Sequence, residues 1–345
     1  MKYLVLDPKN TFQNITGLFN EEVGQFEFDG QIHYKKGAEF FRQYDAVLCI
    51  HTVEPLNSYI LNKCNLFSVK TIVVFDGIYE WENAYNNPKH ISAGMKLYDP
   101  IDAAMALTVG AGNNYLSYIN ANVKFYSYRP SRMKIELANG AESKVGTVLL
   151  TTAKTPYFSL DERTRLVCLY KEVLNKCLAM FEVVDFRFFD EELLNDIGGD
   201  ISRNKVRGAF IDVVKNYGAL ITTPSTISIE AMSLGLPVAH LDYRDSPLFC
   251  QAGWRINQSI DIADVLESMK KLDSGRLNFQ FSEVESTLNP DLSIERSLSD
   301  LVGLNGRMPS VADRFYESES RLMDSRWNLN FKAIGKSLIK KVGFR

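Results

Sequence analysis

Short runs that are apolar throughout recur from one end of this chain to the other, and segments of helical hydrophobic spacing separate them. In the first half the runs are YLVLD (3–7), AVLCIH (46–51), TIVVFD (71–76), ALTVG (106–110) and VKFYSY (123–128), with helical patterns at 36–43, 55–64 and 111–119. In the second half they are GTVLLTT (146–152), FEVVDFRFF (181–189), GALITT (218–223) and PVAHLD (237–242), with helical patterns at 160–178, 205–216, 226–234 and 260–271. A strand that alternates apolar and polar residues can leave one face in water. One that is apolar throughout needs cover on both faces. Such strands alternating with helices predict parallel sheets layered between helices, the α/β class.

At 345 residues the chain is too long for one ordinary core, and its 46% hydrophobic content is enough for two. The break is expected in the polar stretch RPSRMKIELANGAESK (129–144), which carries Pro130 and the turn pair Asn139-Gly140. The expected division is a first doubly wound domain over 1–135, a second over 145–312, and a helical segment over 313–345, of which 313–331 is expected to pack back on the first domain. The stretch 275–312 reads as irregular connecting chain. In sheets of this kind ligands sit beyond the carboxyl ends of the strands, so the loops after the strands are where chemistry is expected.

Charge and cysteine usage narrow the classes. Lys and Arg number 39 against 42 Asp and Glu, which gives no basic surplus for a nucleic-acid partner. The start, MKYLVLDPKN, lacks the charged, apolar and small-residue order of a secretory signal, and no long apolar run predicts a spanning helix. Five scattered cysteines and four histidines, at 33, 51, 90 and 240, form no metal-ligand spacing. The expectation is a cytoplasmic protein with reduced thiols and no metal site.

The richest segment is GALITTPSTISIEAMSLGLPVAHLDYRDSP (218–247). A strand ends at Thr222-Thr223, Pro224 stops it, and Ser225-Thr226 open a helix that carries Glu230 one turn on. A helix start preceded by hydroxyl residues offers unsatisfied N–H groups and a positive dipole end, a ready site for phosphate. Read alone, Ser225 is equally an N-cap and Glu230 a solvated helix residue. As a whole the string Ser225, Thr226, Glu230, Ala231, Gly235, Pro237, Val238 resembles the donor-nucleotide segment of GT-B glycosyltransferases, whose fold is two Rossmann-like domains facing across a cleft. Nucleotide-sugar 2-epimerases and glycerophosphate transferases share a similar segment. The resemblance implies phosphate contacts from Ser225 and Thr226 and ribose recognition by Glu230, with Thr223 and Pro224 also at the nucleotide. Thr152 and Lys154, in the loop after the first strand of the second domain, and Arg187, near the end of FEVVDFRFF, are expected to join that site. The plain alternatives are an exposed loop lysine and an arginine paired with Asp185, Asp190 or Glu191. Enzymes of this type neutralise the leaving phosphate with basic side chains and helix dipoles, so no cofactor is expected beyond the nucleotide-sugar co-substrate.

Sugar transfer also needs a carboxylate near the anomeric carbon. Asp76 closes a buried strand and is followed by Gly77, in FDGIYEWENAYNN, where Tyr79 and Trp81 flank Glu80. Carboxylates interleaved with aromatic rings suit a carbohydrate, and Gly77, Tyr79, Trp81, Asp242 and Tyr243 are expected on the acceptor or sugar. This stretch resembles the acid-acid-Gly motif of GT-B sialyltransferases, which implies Asp76 as the catalytic base. Phe75 stands in place of the first acid, and the His-Pro motif of those enzymes has no counterpart. Glu80 and His51, the latter ending AVLCIH, are the other catalytic candidates. The tail NLNFKAIGKSLIKKVGFR carries Lys332, Lys336, Lys340, Lys341 and Arg345 with no acid, which suits an anionic membrane face.

The function expected from these readings is metal-independent transfer of a sugar from a nucleotide-sugar, either a CMP-sugar acid of Kdo or sialic type or a UDP-sugar. The acceptor is expected to be a glycan or lipid-linked glycan of a bacterial surface polysaccharide, at the inner face of the membrane. A nucleotide-sugar 2-epimerase or a non-catalytic nucleotide-binding protein is the alternative.

Overall fold

A computed structural model of the chain describes residues 1–17, 24–50, 55–88, 103–119, 123–130, 133, 144–258, 260–288, 294 and 298. Two wholly parallel sheets organise them, as the apolar runs predict. The first has six strands in the order β2-β1-β3-β4-β5-β6: β1 (Lys2–Val5), β2 (Gln25–Glu27), β3 (Ala46–Cys49), β4 (Lys70–Ile78), β5 (Met105–Val109) and β6 (Lys124–Ser127). The second has five in the order β11-β10-β9-β7-β8: β7 (Thr147–Thr151), β8 (Val183–Arg187), β9 (Ala219–Thr222), β10 (Val238–Leu241) and β11 (Trp254–Ile256). Every residue of β3, β5, β9 and β10 is buried, the property that made these strands visible in sequence.

Two strands escaped the sequence pattern for physical reasons. β2 is an edge strand with exposed Gln25 and Glu27, and β11 exposes Arg255 between buried Trp254 and Ile256, so neither forms a continuous apolar run. A third difference is a correction. The region read as irregular from 275 onward begins with a helix, Ser274–Leu288. Its buried stripe is Gln280, Val284, Thr287 and Leu288, half of it polar, so apolar periodicity could not reveal it. The amide of Gln280 explains the polar choice: Nε2 donates to Leu236 O at 2.9 Å, and Oε1 accepts from the N–H groups of Val238 (2.8 Å) and Gly253 (3.2 Å). One buried side chain thereby satisfies three backbone groups at the entrance to β10.

The sheets communicate through apolar packing. One buried cluster includes Ile78, Val109 and Tyr128 from the first sheet's side and Ile229, Met232, Cys250 and Leu288 from the second. At the junction β4 carries an irregularity: Val74 pairs with Leu107 but Ile78 with Val109, so extra residues, Asp76 and Gly77 among them, bulge out of the ladder. The Tyr128 hydroxyl donates to the Phe75 carbonyl, giving a bulge carbonyl a partner. Bulges of this kind re-aim a strand end and are common beside active sites.

Candidate functional site

The site predicted from 222–230 is built where β9 and β7 end side by side. Thr151 is in register with Thr222, so the loops that leave these two strands run together. Thr223 ties them: its Oγ1 accepts the N–H of Ala153 at 2.8 Å. Pro224 is buried, and Ser225, extended at φ -168°, stands at the N-cap position of the helix Thr226–Ser233 without a side-chain capping bond. Ser225 Oγ and Thr152 Oγ1 are both buried without a hydrogen-bond partner. Each orphan hydroxyl costs about 1–3 kcal/mol in the ligand-free chain. Groups of that kind are rare in folded proteins and call for an explanation. Two of them at adjacent strand ends, beside the positive end of a helix, form an unfilled set of polar contacts for an anion.

His240 on β10 supports this helix from below. Its Nε2 lies 2.7 Å from Ser228 Oγ, and both residues are buried. Burial, aided by the Arg255 charge, lowers the imidazole pKa from 6.5 to about 3, so it is neutral at ordinary pH. The unfolded chain then binds an extra proton between these two values, and stability falls as pH drops from about 6.5 toward 3, by up to about 1.4 kcal/mol per pH unit. A His240→Gln chain is expected to show a flatter acid limb in thermal melts across that range. Equal slopes would remove His240 as the source.

Across the interface the first domain meets the same helix start. Thr226 Oγ1 accepts the N–H of Ile78 at 3.1 Å, and a Cβ on Gly77 would lie 2.2 Å from that oxygen. Thr226 thus has a task beyond the expected one: its hydroxyl oxygen joins the two domains. It also explains Gly77, which is there to let Thr226 approach. Asp76 is the neighbouring residue on β4 and is half-buried. Glu230 is half-buried one turn along the helix, and Lys154 is exposed.

Several other predicted residues have different tasks. Arg187 is buried, and its guanidinium donates to the carbonyls of Lys205, Arg207 and Gly208, so it clamps the 205–208 loop rather than facing a phosphate. Burial lowers its pKa. Tyr243 is buried and its hydroxyl donates to the Pro156 carbonyl. Asp242 pairs with Arg255. Tyr79 is a core residue, 5.4 Å from Phe249 and 6.3 Å from Tyr115 between ring centroids. Trp81 packs partly buried against Tyr85 (4.6 Å) and Tyr115 (4.9 Å). Glu80, expected to be catalytic, bonds to the guanidinium of Arg244. His51 and the tail 313–345 lie outside the described residues.

Arg244 is the residue sequence reasoning passed over. It follows Asp242 and Tyr243 in the loop after β10, so its position at a strand end was available as a signal. Its side chain is 5% exposed and meets Glu80 of the first domain, Glu162 at 3.5 Å and the Pro156 carbonyl. The rings of Tyr243 and Phe158 lie 4.9 and 5.1 Å from its guanidinium carbon. Burial opposes its charge, but Tyr243, Glu80 and Glu162 together hold its pKa above the usual value. Burial pushes the Glu80 carboxyl up, against the pull of Arg244.

No family model matches the sequence, and no curated protein matches it either. Solved structures do match in fold. A putative UDP-N-acetylglucosamine 2-epimerase from Listeria monocytogenes aligns at TM-score 0.54 and 10% identity, over 86% of this chain and 94% of that one. HepE from Anabaena, solved with UDP and glucose, aligns at 0.51 and 11%, over 88% and 98%. TarM aligns at 0.47 and 12% over 74% of this chain, which spans 54% of the length of that protein. The two parallel sheets with interleaved helices are the GT-B fold, two Rossmann-like domains, as the resemblance of the 218–247 segment implies. Among the described residues no helix is long and apolar enough to cross a membrane.

Proposed function

We propose that this chain is a glycosyltransferase that takes a nucleotide-sugar donor on the second domain and transfers the sugar beside Asp76. The observation that carries this reading is the pair of buried, unpartnered hydroxyls, Thr152 Oγ1 and Ser225 Oγ, at adjacent strand ends. They sit where the helix Thr226–Ser233 begins and where Gly77 touches it from the first domain. Hydroxyls and N–H groups at a positive helix end are donors for the oxygens of a leaving phosphate, and their charge stabilisation grows as the glycosidic bond breaks. A donor set of hydroxyls and backbone amides suits transfer without a metal. Glu230 on the same helix is the ribose acceptor in this reading.

A UDP-sugar is favoured over a CMP-sugar acid. HepE is a fold relative solved with UDP, the epimerase relative is named for a UDP-sugar, and the sialyltransferase likeness of 75–77 lacks its first acid. The acceptor is proposed to be a glycan or lipid-linked glycan of bacterial surface polysaccharide, with the basic 332–345 segment on an anionic membrane face. Co-sedimentation of the full chain with anionic vesicles, absent with neutral ones, is the expected result for that last part.

The test of the donor site is thermal shift against UDP, CMP, GDP and their sugars. A ligand at a hundred times its dissociation constant stabilises the fold by about 2.7 kcal/mol. A shift with a UDP-sugar is expected; no shift with any nucleotide would sink the proposal. A second reading, an epimerase, is favoured by the Listeria relative. Incubation of the donor alone separates the two, because an epimerase yields an isomer and a transferase needs an acceptor.

A further inference from the structure

The loop that leaves β10 reaches over to the first domain twice. Arg244 bonds to Glu80, and Phe249 places its ring 5.4 Å from Tyr79 and 5.6 Å from Tyr115. With the Thr226–Ile78 bond, these are three of the side-chain contacts that join the domains beside the apolar cluster both sheets share. The hydroxyl bond is a weak, neutral contact, and the aromatic one is non-directional. The charged pair is the strongest directional contact of the three.

Arg244 is held in place by groups of its own domain. Pro156 O and Glu162 take part of its hydrogen-bonding and charge, and the rings of Phe158 and Tyr243 pack on it. Glu80 is the first-domain partner, four residues beyond Asp76, where β4 passes into the helix Trp81–Tyr85. A pull on Glu80 therefore acts on the short segment that carries Asp76. With side chains 5% and 19% exposed, the pair is shielded from salt and water far more than a surface ion pair.

We propose that Arg244 and Glu80 form a clasp that orients Asp76 toward the donor held at Thr152 and Ser225, Arg244 and Glu80 acting as positioning residues. The catalytic half of this proposal rests on the transferase reading; the clasp itself does not.

The experiment measures the distance between the domains and the kinetics in the same variants of the full chain. Spin labels at Tyr118→Cys and Leu178→Cys, both exposed, report the distance in a Cys168→Ser background, since the other four cysteines are buried. The starting chain is expected to give one narrow distance distribution. Arg244→Ala and Glu80→Gln are each expected to broaden it, and the double variant no more than either single, because both remove one interaction. In the same variants kcat is expected to fall by about a hundredfold, as for a misplaced reacting group. The donor dissociation constant is expected to be unchanged in Glu80→Gln, since Thr152 and Ser225 belong wholly to the second domain and Glu80 to the first. A merely structural role would lower the melting temperature without that split. Glu80→Gln keeps the side-chain shape, so it carries the test should Arg244→Ala fold poorly. Narrow distributions in the single variants overturn the clasp, as does additive broadening in the double. Broad distributions with unchanged kcat overturn the positioning role. If no nucleotide-sugar binds the starting chain, the transferase reading fails while the distance measurement still decides the clasp.

Discussion

Turnover of the Asp76→Asn chain is expected to fall by about a hundredfold or more, the usual scale for a positioned acid or base, while donor affinity stays at the starting level. The substitution keeps shape and removes charge. Asp76 lies in the bulge of β4 next to the Gly77–Thr226 contact, whereas the unpartnered hydroxyls that would hold the donor are on the second domain. Chemistry and donor binding are thus assigned to different domains and should separate in the measurement. Steady-state transfer kinetics paired with donor thermal shifts read the two quantities. Unchanged turnover removes Asp76 from the mechanism; a parallel loss of donor affinity moves it into the binding site instead.

Replacing the two orphan hydroxyls should push stability and affinity in opposite directions. Thr152→Val and Ser225→Ala each remove a buried group that has no partner in the ligand-free chain. The melting temperature of the free protein is therefore expected to hold or rise. Each hydroxyl that would bond a charged phosphate oxygen is worth about 1.5–3 kcal/mol. Donor affinity should accordingly drop by about tenfold to a hundredfold per substitution. Titration calorimetry with the donor and melts without it make the comparison. If these hydroxyls serve only the fold, the melts fall and the donor constant does not move. That result would withdraw the phosphate assignment.

How much of this was legible in sequence depended on whether a feature is local. The strand-to-helix passage at 222–230 is local: an apolar run, a proline, two hydroxyl residues and a glycine after the helix are each readable from neighbours. Asp76 was likewise readable as the acid that ends an apolar run. The pairings made over long separations were not. Thr226 was assigned to phosphate because its hydroxyl opens a helix, but it meets the N–H of Ile78, 148 residues away in the chain. Glu80 was assigned to catalysis because it follows Asp76, but it meets Arg244, 164 residues away. Arg187 was given a ligand charge to neutralise, yet the carbonyls it serves lie on a loop whose path no local pattern describes. The helix Ser274–Leu288 was hidden because its buried stripe uses Gln280 and Thr287 for backbone bonding instead of apolar side chains.

The sequence by itself determined the two-sheet α/β architecture and the turn that begins at Thr223, because burial of both faces of a strand and the start of a helix are written in adjacent residues. Only the tertiary structure decided which hydroxyls are left without partners and which charges meet across the domains. Those outcomes depend on how the two sheet layers approach, and a polar side chain has the same chemistry in the sequence whether its partner arrives or not.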